Sequence, residues 1–332
     1  MSVANTVFFS SLVAEHPKIV GHQIILEELS RDLSAKNLAH AYLFSGPRHL
    51  GKMAVARWFA EQLLTDGVPE EKLADVRRNI GCLTHPDLLI LDQLWIEGTC
   101  TDWDVVARTS NVPQQHRAKK PAAKTDTISI DDVRALQERL HDTGTGQFRC
   151  CIIRAMERMQ VAAANAFLKI LEEPPEGLVF ILTSQSASIL LPTVVSRARS
   201  LLFRRLPNRE LLTLLEGSSA SDRQFILRIA QGAPGVVARL MQDTDQLREH
   251  KLVHEQALSF WGTTSLADRL RILQPLQKRG AEAERLLLHL ALTLRERGVT
   301  IDRMREFQLF AQDLQTNAHR QLLAQRFAFS ID

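Results

Sequence analysis

The chain has 332 residues, of which 45% are hydrophobic and 24% charged, so it is long enough for two or three domains with proper cores. Its net charge of +3 neither requires nor excludes a nucleic-acid partner. No apolar run approaches the roughly 20 residues that span a membrane, and the first residues lack the pattern of a signal peptide. The four cysteines have no disulfide-framework spacing, so we expect free thiols in a cytoplasmic protein without a membrane span.

Short apolar runs alternate with helical patterns in the first half of the chain. Several runs are apolar throughout, as expected for strands covered on both faces, and the predicted strands are residues 41–44, 88–92, 148–153, 178–184 and 200–203. Between them the periodicity predicts helices at residues 24–35, 52–64, 130–141 and 161–173. Strands that alternate with helices indicate a parallel sheet with right-handed crossovers.

The strand signals stop near Pro207, and the remaining segments have helical periodicity, several of them ending in glycine. We therefore predict an α/β domain at residues 1–206, a small helical domain at 207–243 and an all-α C-terminal domain at 244–332. Residues 98–126 form a polar, irregular insertion that contains the basic run 117–124. We interpret the insertion as a disordered surface segment, with a nucleic-acid contact as the alternative.

A glycine-rich loop follows the first predicted strand and precedes a predicted helix. Gly46, Gly51 and Lys52 have the spacing G-x-x-x-x-G-K of a phosphate-binding loop, in which the lysine contacts the β- and γ-phosphates. The next position needs a hydroxyl for Mg²⁺, but Met53 has only a soft thioether. The pattern favours a loop derived from a nucleotide site; the alternative is a strand–helix turn that merely needs its glycines.

Hydrolysis also needs an acidic group at the end of a neighbouring strand to hold Mg²⁺ and polarise water. After the strand at 148–153 stand Arg154 and Ala155, and a cation there would repel the metal. Glu157 lies further on, where we expect the chain to turn into the next helix, in a geometry that does not serve the metal. Two parts of the hydrolytic apparatus are missing together, which argues against ATP hydrolysis.

Five sequence blocks occur in an order that resembles a known family. The chain is similar to the delta-prime subunits of bacterial DNA polymerase III clamp loaders, which are AAA+ proteins, through "IVGHQ" (19–23), "LAHAYLFSGPRHLGK" (38–52), "HPDLLILD" (85–92), "AANAFLKILEEPPEGLVFILTS" (163–184) and "LLPTVVSRA" (190–198). The likeness is strong over residues 19–206 and only architectural after that. It implies an AAA+ parallel sheet with flanking helices, then a small helical lid domain and an all-α collar domain for oligomerisation.

The resemblance also implies roles for particular residues. The family's Ser-Arg-Cys tripeptide corresponds to Ser196, Arg197 and an alanine here, and its arginine is an arginine finger that reaches the γ-phosphate of ATP in the neighbouring subunit. Without the surrounding match, Ser196 and Arg197 would be read as an exposed polar pair. Val236 stands where ATP-using relatives have the sensor-2 arginine, although Arg239 follows one turn later.

Zinc is a further departure from the family. Many members have a four-cysteine zinc module between the phosphate loop and the "HPD" block, but here Cys82 and His85 form one pair without a second. Cys100 is a poor substitute, so the sequence weighs against zinc and favours a structural role for His85.

The leading hypothesis is a non-catalytic clamp-loader subunit of the DNA polymerase III holoenzyme. Its expected partners are the clamp-loader ATPase subunits, the delta subunit, the sliding clamp and primed DNA, with DNA contact mainly electrostatic. The alternatives are an active AAA+ ATPase and a protein-binding scaffold with a degenerate AAA+ fold. The sequence leaves two outcomes for the glycine loop, ATP bound without hydrolysis and no nucleotide bound.

Overall fold

The computed structural model describes residues 19–91, 127–140, 144, 146–297, 300–316 and 318–331. The predicted insertion 98–126, with Cys100, lies outside the described residues. The chain divides into two compact units, the first formed by Met1–Leu214 with Gly232–Gly235 and the second by Leu215–Gln231 with Val236–Asp332. The predicted boundary between lid and collar domains at residue 243 stays a prediction.

The described part of the first unit contains a five-stranded parallel sheet. Its strands, in chain order, are β1 (Ala41–Ser45), β2 (Leu88–Leu91), β3 (Arg149–Ile153), β4 (Leu178–Ser184) and β5 (Arg199–Leu202). Their spatial order is β2-β3-β4-β1-β5. Every residue of β1 to β4 is buried, because the sheet is covered on both faces. The predicted parallel α/β fold is confirmed, with strand limits that differ by single residues.

Helices of the first unit cover the two faces of this sheet. They are α1 (Gln23–Ser34), α2 (Lys52–Thr65), α3 (Glu70–Gly81), α4 (Ile130–Leu140), α5 (Val161–Glu172), α6 (Pro192–Val195) and α7 (Asn208–Leu211). The four predicted helices are confirmed to within one residue at each end. Helix α3 was not predicted, since Ile80 is its only buried residue and its other positions are largely polar.

Two hydrophobic clusters form the core of the first unit, one on each face of the sheet. Phe59 of α2 lies in the cluster that also contains Cys150 of β3, whereas Phe167 of α5 lies in the cluster that contains Cys151. Successive strand residues point to opposite faces, so these neighbouring cysteines belong to different layers. Burial raises the pKa of both thiols.

All regular secondary structure among the described residues of the second unit is helical. It contains α8 (Ala220–Ala230), most of α9 (Pro234–Gln242), α10 (Thr244–Gly262), α11 (Leu266–Ile272), α12 (Ala281–Glu296), α13 (Ile301–Asp313) and α14 (Arg320–Ser330). Phe310 and Phe327 stack in its core with ring centroids 4.2 Å apart. The buried indole of Trp261 donates a hydrogen bond to Thr293. The helical character predicted for this half of the chain is confirmed.

Three histidines of the second unit form a chain of contacts between α10 and α12. His289 is fully buried, and its Nε2 lies 2.9 Å from His250 Nδ1 while its Nδ1 lies 3.2 Å from His254 Nδ1. His254 Nε2 is 3.5 Å from a carboxylate oxygen of Glu296. Three neutral imidazoles supply one donor and one acceptor for each of these links. The hydrogen-bonding groups that these three histidines direct at one another are therefore all paired when the three side chains are uncharged.

Candidate functional site

The glycine loop lies at the carboxyl end of β1, between the ends of β4 and β5. The Gly46 N–H donates to Ser184 O at 3.2 Å, and Gly46 has φ 145°. A Cβ at this position would lie 2.4 Å from the carbonyl oxygen of Phe203, so a side chain cannot fit. Gly51 has φ 88° at the start of α2. Both predicted glycines are thus required by the path of the backbone around the loop.

Lys52, the lysine of the loop, is bound to the loop itself. Its Nζ donates to Gly46 O at 2.5 Å and to Pro47 O at 2.6 Å. The pKa of Lys52 is lowered to about 8, mainly by burial; the carboxylate of Glu157 opposes this shift and the guanidinium of Arg154 adds to it. The ammonium is therefore hydrogen-bonded to carbonyl groups of the loop itself. The charges of Glu157 and Arg154 also act on it.

Met53 contributes to apolar packing. Its side chain is partly buried and packs against the core cluster that contains Phe59. No oxygen ligand is available from this side chain, as the sequence predicted.

The segment that follows β3 contains Arg154 and Glu157, whose charges act on Lys52 in the loop. Arg154 continues the sheet pairing through its N–H, which donates to Leu91 O at 3.0 Å. Ala155 then adopts φ 58°, with its N–H bonded to Thr183 Oγ1 at 3.1 Å, and the chain reverses into the 3₁₀ turn Met156–Arg158. This left-handed residue returns the chain towards Lys52.

Glu157 lies in the 3₁₀ turn that follows β3. Its Oε1 accepts a hydrogen bond from Gln185 at 2.9 Å, and its Oε2 is buried without a hydrogen-bond partner among the described residues. Its charge acts on Lys52. Glu157 lies in the turn before the next helix, as expected, but the sequence did not indicate that its charge acts on the loop lysine, because the reversal at Ala155 could not be read from the sequence.

His22 contacts the loop from the N-terminal side. Its Nε2 lies 2.8 Å from Leu50 O, and its ring centroid is 4.7 Å from that of Phe203. Burial lowers the pKa of His22, which favours the neutral imidazole. This residue belongs to the "IVGHQ" block, and its contact with the loop could not be predicted from the sequence.

The start of α9 also contacts the loop. The Gly235 N–H donates to His49 O at 2.9 Å, and a Cβ at Gly235 would lie 2.9 Å from the same oxygen. The glycine thus permits a close backbone approach that the sequence analysis did not identify. Val236 and Arg239 belong to the second unit, and their suggested sensor-2 roles stay predictions.

Ser196 and Arg197 follow α6 directly, as a polar pair at the surface. Ser196 Oγ donates to Thr193 O at 3.1 Å. Arg197 Nη1 donates to the same carbonyl at 3.0 Å, and its Nη2 forms an ion pair with Glu172 Oε1 at 2.7 Å. The Arg197 side chain remains 35% exposed. The sequence singled out Arg197, but it could not identify its carboxylate partner on α5.

Arg199, two residues later, has a different environment. Its guanidinium donates to the carboxylates of Asp32 and Glu28 on α1. The Tyr42 hydroxyl also donates to Asp32, at 2.9 Å. These hydrogen bonds raise the pKa of Arg199 above its ordinary value. Arg199 therefore ties α1 to the sheet.

Cys82 and His85 lie at the end of α3 and in the turn before β2. Cys82 is exposed, and His85 Nδ1 accepts a hydrogen bond from the Asp87 N–H at 3.2 Å. The described residues contain no group of three or more potential metal ligands arranged around one ion. None of the described helices combines the length and hydropathy needed to cross a membrane.

Comparison with known proteins by sequence gives matches to subunits of DNA polymerase III. A family model described as "DNA polymerase III, delta subunit" matches residues 21–207. The delta' subunit of DNA polymerase III from Pseudomonas aeruginosa is 30% identical over 253 residues, which cover 69% of this chain and 67% of the relative. The gamma/tau subunit from Mycobacterium tuberculosis H37Rv is 29% identical over 270 residues, covering 76% of this chain.

The chain spans only 41% of the length of that gamma/tau subunit. A crystal structure of a gamma subunit-related protein from Thermotoga maritima is 21% identical, with a TM-score of 0.44, and the match covers 91% of this chain and 82% of that one. Both delta' and gamma/tau subunits are thus among the relatives.

Proposed function

The chain belongs to the family of DNA polymerase III clamp-loader subunits, and we propose that it serves such a complex as a non-catalytic member. In this role it supports ATP-dependent loading of the sliding clamp onto primed DNA. Its partners are the ATPase subunits and the delta subunit of the loader. It donates Arg197 to the ATP site of a neighbouring ATPase subunit, with Ser196 beside it.

The observation that carries this proposal is the state of the glycine loop. Lys52 donates hydrogen bonds to the carbonyl groups of Gly46 and Pro47, so its ammonium would have to leave or share these acceptors to contact a phosphate. Arg154 adds a second positive charge near this lysine, which opposes the binding of a metal ion. Met53 supplies no oxygen ligand. These features support a retained loop framework without hydrolysis.

Arg197 has the chemistry needed for a role in a neighbouring site. A guanidinium stays charged at all physiological pH values, and its planar fork matches phosphate oxygens. The two side chains are about equally exposed, but Arg199 is paired with two carboxylates of its own unit and Arg197 with one. Of these two arginines, Arg197 is the one whose fork can bind an external anion.

The alternative of an active ATPase is favoured by one observation. Glu157 has a buried carboxylate oxygen without a hydrogen-bond partner among the described residues, and its charge acts on Lys52. A carboxylate in this place could contribute to binding Mg²⁺ if the loop opened. The protein-binding scaffold has no comparable support.

Phosphate release by the purified chain separates these functions. We expect no Mg²⁺-dependent turnover of ATP, and a titration with a fluorescent ATP analogue, with and without Mg²⁺, measures binding without hydrolysis. Turnover that is abolished by both Lys52→Ala and Glu157→Gln would contradict the non-catalytic assignment and establish the active ATPase.

The role of Arg197 is tested in the complex reconstituted with ATPase subunits from the same organism. Arg197→Ala should leave assembly intact and slow DNA-stimulated ATP hydrolysis at least about tenfold, since arginine fingers contribute roughly 10³–10⁵ in kcat in GTPases. The exposed Arg209 provides the matched control, because Arg209→Ala removes an equal charge from the same unit. A normal rate in the Arg197 variant would contradict the finger assignment, and failure to assemble with the ATPase subunits would favour the scaffold.

A further inference from the structure

We propose that Glu172 is a positioning residue, which orients the guanidinium of Arg197 for the nucleotide of the neighbouring subunit. The proposal rests on the proposed function of Arg197 and adds a second residue to that site. Glu172 is the last residue of α5, on an element different from the one that carries the arginine.

Two contacts fix the plane of the guanidinium. The ion pair with Glu172 uses Nη2, and the hydrogen bond to Thr193 O uses Nη1. Anchoring a planar group at two of its nitrogens defines both its position and its tilt. The carbonyl of Thr193 alone would leave the group free to rotate about a single hydrogen bond.

The elements that supply the two anchors form a rigid base. Ile170 and Leu171 at the end of α5 are buried in the same hydrophobic cluster as Val194 of α6. The backbone at Glu172 and the Thr193 carbonyl therefore keep a fixed separation. An arginine held between them is preorganised by the packing beneath it.

These contacts leave part of the fork available. A guanidinium has five N–H donors, and the described residues provide partners for two of them in Arg197. The remaining donors belong to a side chain that is 35% exposed. Phosphate oxygens from another subunit can accept these hydrogen bonds while Glu172 and Thr193 stay bound.

The energetic role of Glu172 is orientation more than stability. The Glu172 side chain is 49% exposed, and exposed ion pairs contribute little to folding. An arginine side chain has a large rotamer entropy, which must be lost before it can act on a phosphate. Glu172 already restrains the arginine, so less rotamer entropy is lost in the transition state. Removal of the Glu172 side chain should therefore lower kcat without weakening ATP binding by the neighbour's own loop.

A double-mutant cycle in the reconstituted complex tests this role. The variants are Glu172→Ala, Arg197→Ala and the two combined, with Glu173→Ala as the control at the adjacent exposed glutamate. We measure kcat and KM for ATP with primed DNA present, and assembly by size-exclusion chromatography. Glu172→Ala should lower kcat roughly three- to tenfold, leave KM within about twofold and leave assembly unchanged. Glu173→Ala should have no effect.

The combined variant separates positioning from an independent contribution. In the Arg197→Ala background, Glu172→Ala should cause no further loss, because its effect passes through the guanidinium. An unchanged kcat in Glu172→Ala, or an equal loss with and without Arg197, would overturn the positioning role and leave the finger intact. If Arg197→Ala itself had no effect on kcat, both the finger and its positioning residue would be overturned.

Discussion

Acidification should destabilise the second unit through the buried histidine chain. Burial, together with the neighbouring His250 and His254, lowers the pKa of His289 to about 3. The pKa of His250 falls to about 4 through burial and the nearby Arg285 and Arg239, with Glu249 acting in the opposite direction. Protonation of His289 would place a positive charge in the core and would require His250 Nδ1 to accept its hydrogen bond.

The direction and the size of this change in the free energy of unfolding follow from proton linkage. An unfolded chain takes up protons on its imidazoles below about pH 6.5, whereas folded His289 stays neutral until about pH 3, so stability falls as the pH drops between these values. At about pH 5, roughly 1.5 units below the ordinary imidazole pKa, the loss from His289 is about 2 kcal/mol. The partly exposed His250 adds a smaller loss in the same direction.

Urea unfolding followed by circular dichroism measures the effect. Between about pH 8 and about pH 5 the wild-type midpoint for the second unit should fall by roughly 1 M, given urea m-values of about 1–3 kcal/mol/M. His289→Gln removes the titrating group and should flatten this dependence, although it starts from a lower stability. His319→Gln, at an exposed histidine of the same unit, is the control and should keep the wild-type dependence. Equal pH dependence in wild type and His289→Gln would refute the reasoning.

Two further predictions concern the stability of the first unit. Gly46→Ala places a Cβ 2.4 Å from Phe203 O at φ 145°, so thermal unfolding should show a loss of about 1–3 kcal/mol, and a melting temperature within a degree of wild type would contradict the backbone argument. Arg199→Met keeps the length of the side chain but leaves the buried carboxylate of Asp32 without its cation. A loss of about 1–3 kcal/mol in urea unfolding is expected, and an unchanged midpoint would mean that this ion pair contributes nothing.

The sequence predicted the sheet well because burial on both faces leaves a direct signal. Strands such as β4 are continuous apolar runs, and α5 ends where Pro174 and Pro175 prevent its continuation. Helix α3 lacked such a signal, since its single buried residue, Ile80, gives too weak an apolar face. The strength of each prediction thus followed the amount of apolar surface that its element buries.

The candidate site was predictable in its residues more than in its contacts. Gly46 and Lys52 could be identified from spacing, because the loop is one continuous segment. The approach of Glu157 depends on the left-handed conformation of Ala155, which no residue preference indicates, since alanine rarely adopts it. The pairing of Arg197 with Glu172 joins two separate elements, and only the packing of α5 beside α6 brings them together.

The two adjacent cysteines of β3 offer an internal probe of local opening. Cys150 and Cys151 cannot form a disulfide with each other in the folded strand, because their side chains lie on opposite faces of the sheet. Each thiol reacts with an alkylating reagent only when its own layer opens to solvent. The alkylation rate of Cys150 therefore reports opening of the layer beneath α2, and that of Cys151 reports opening of the layer beneath α5.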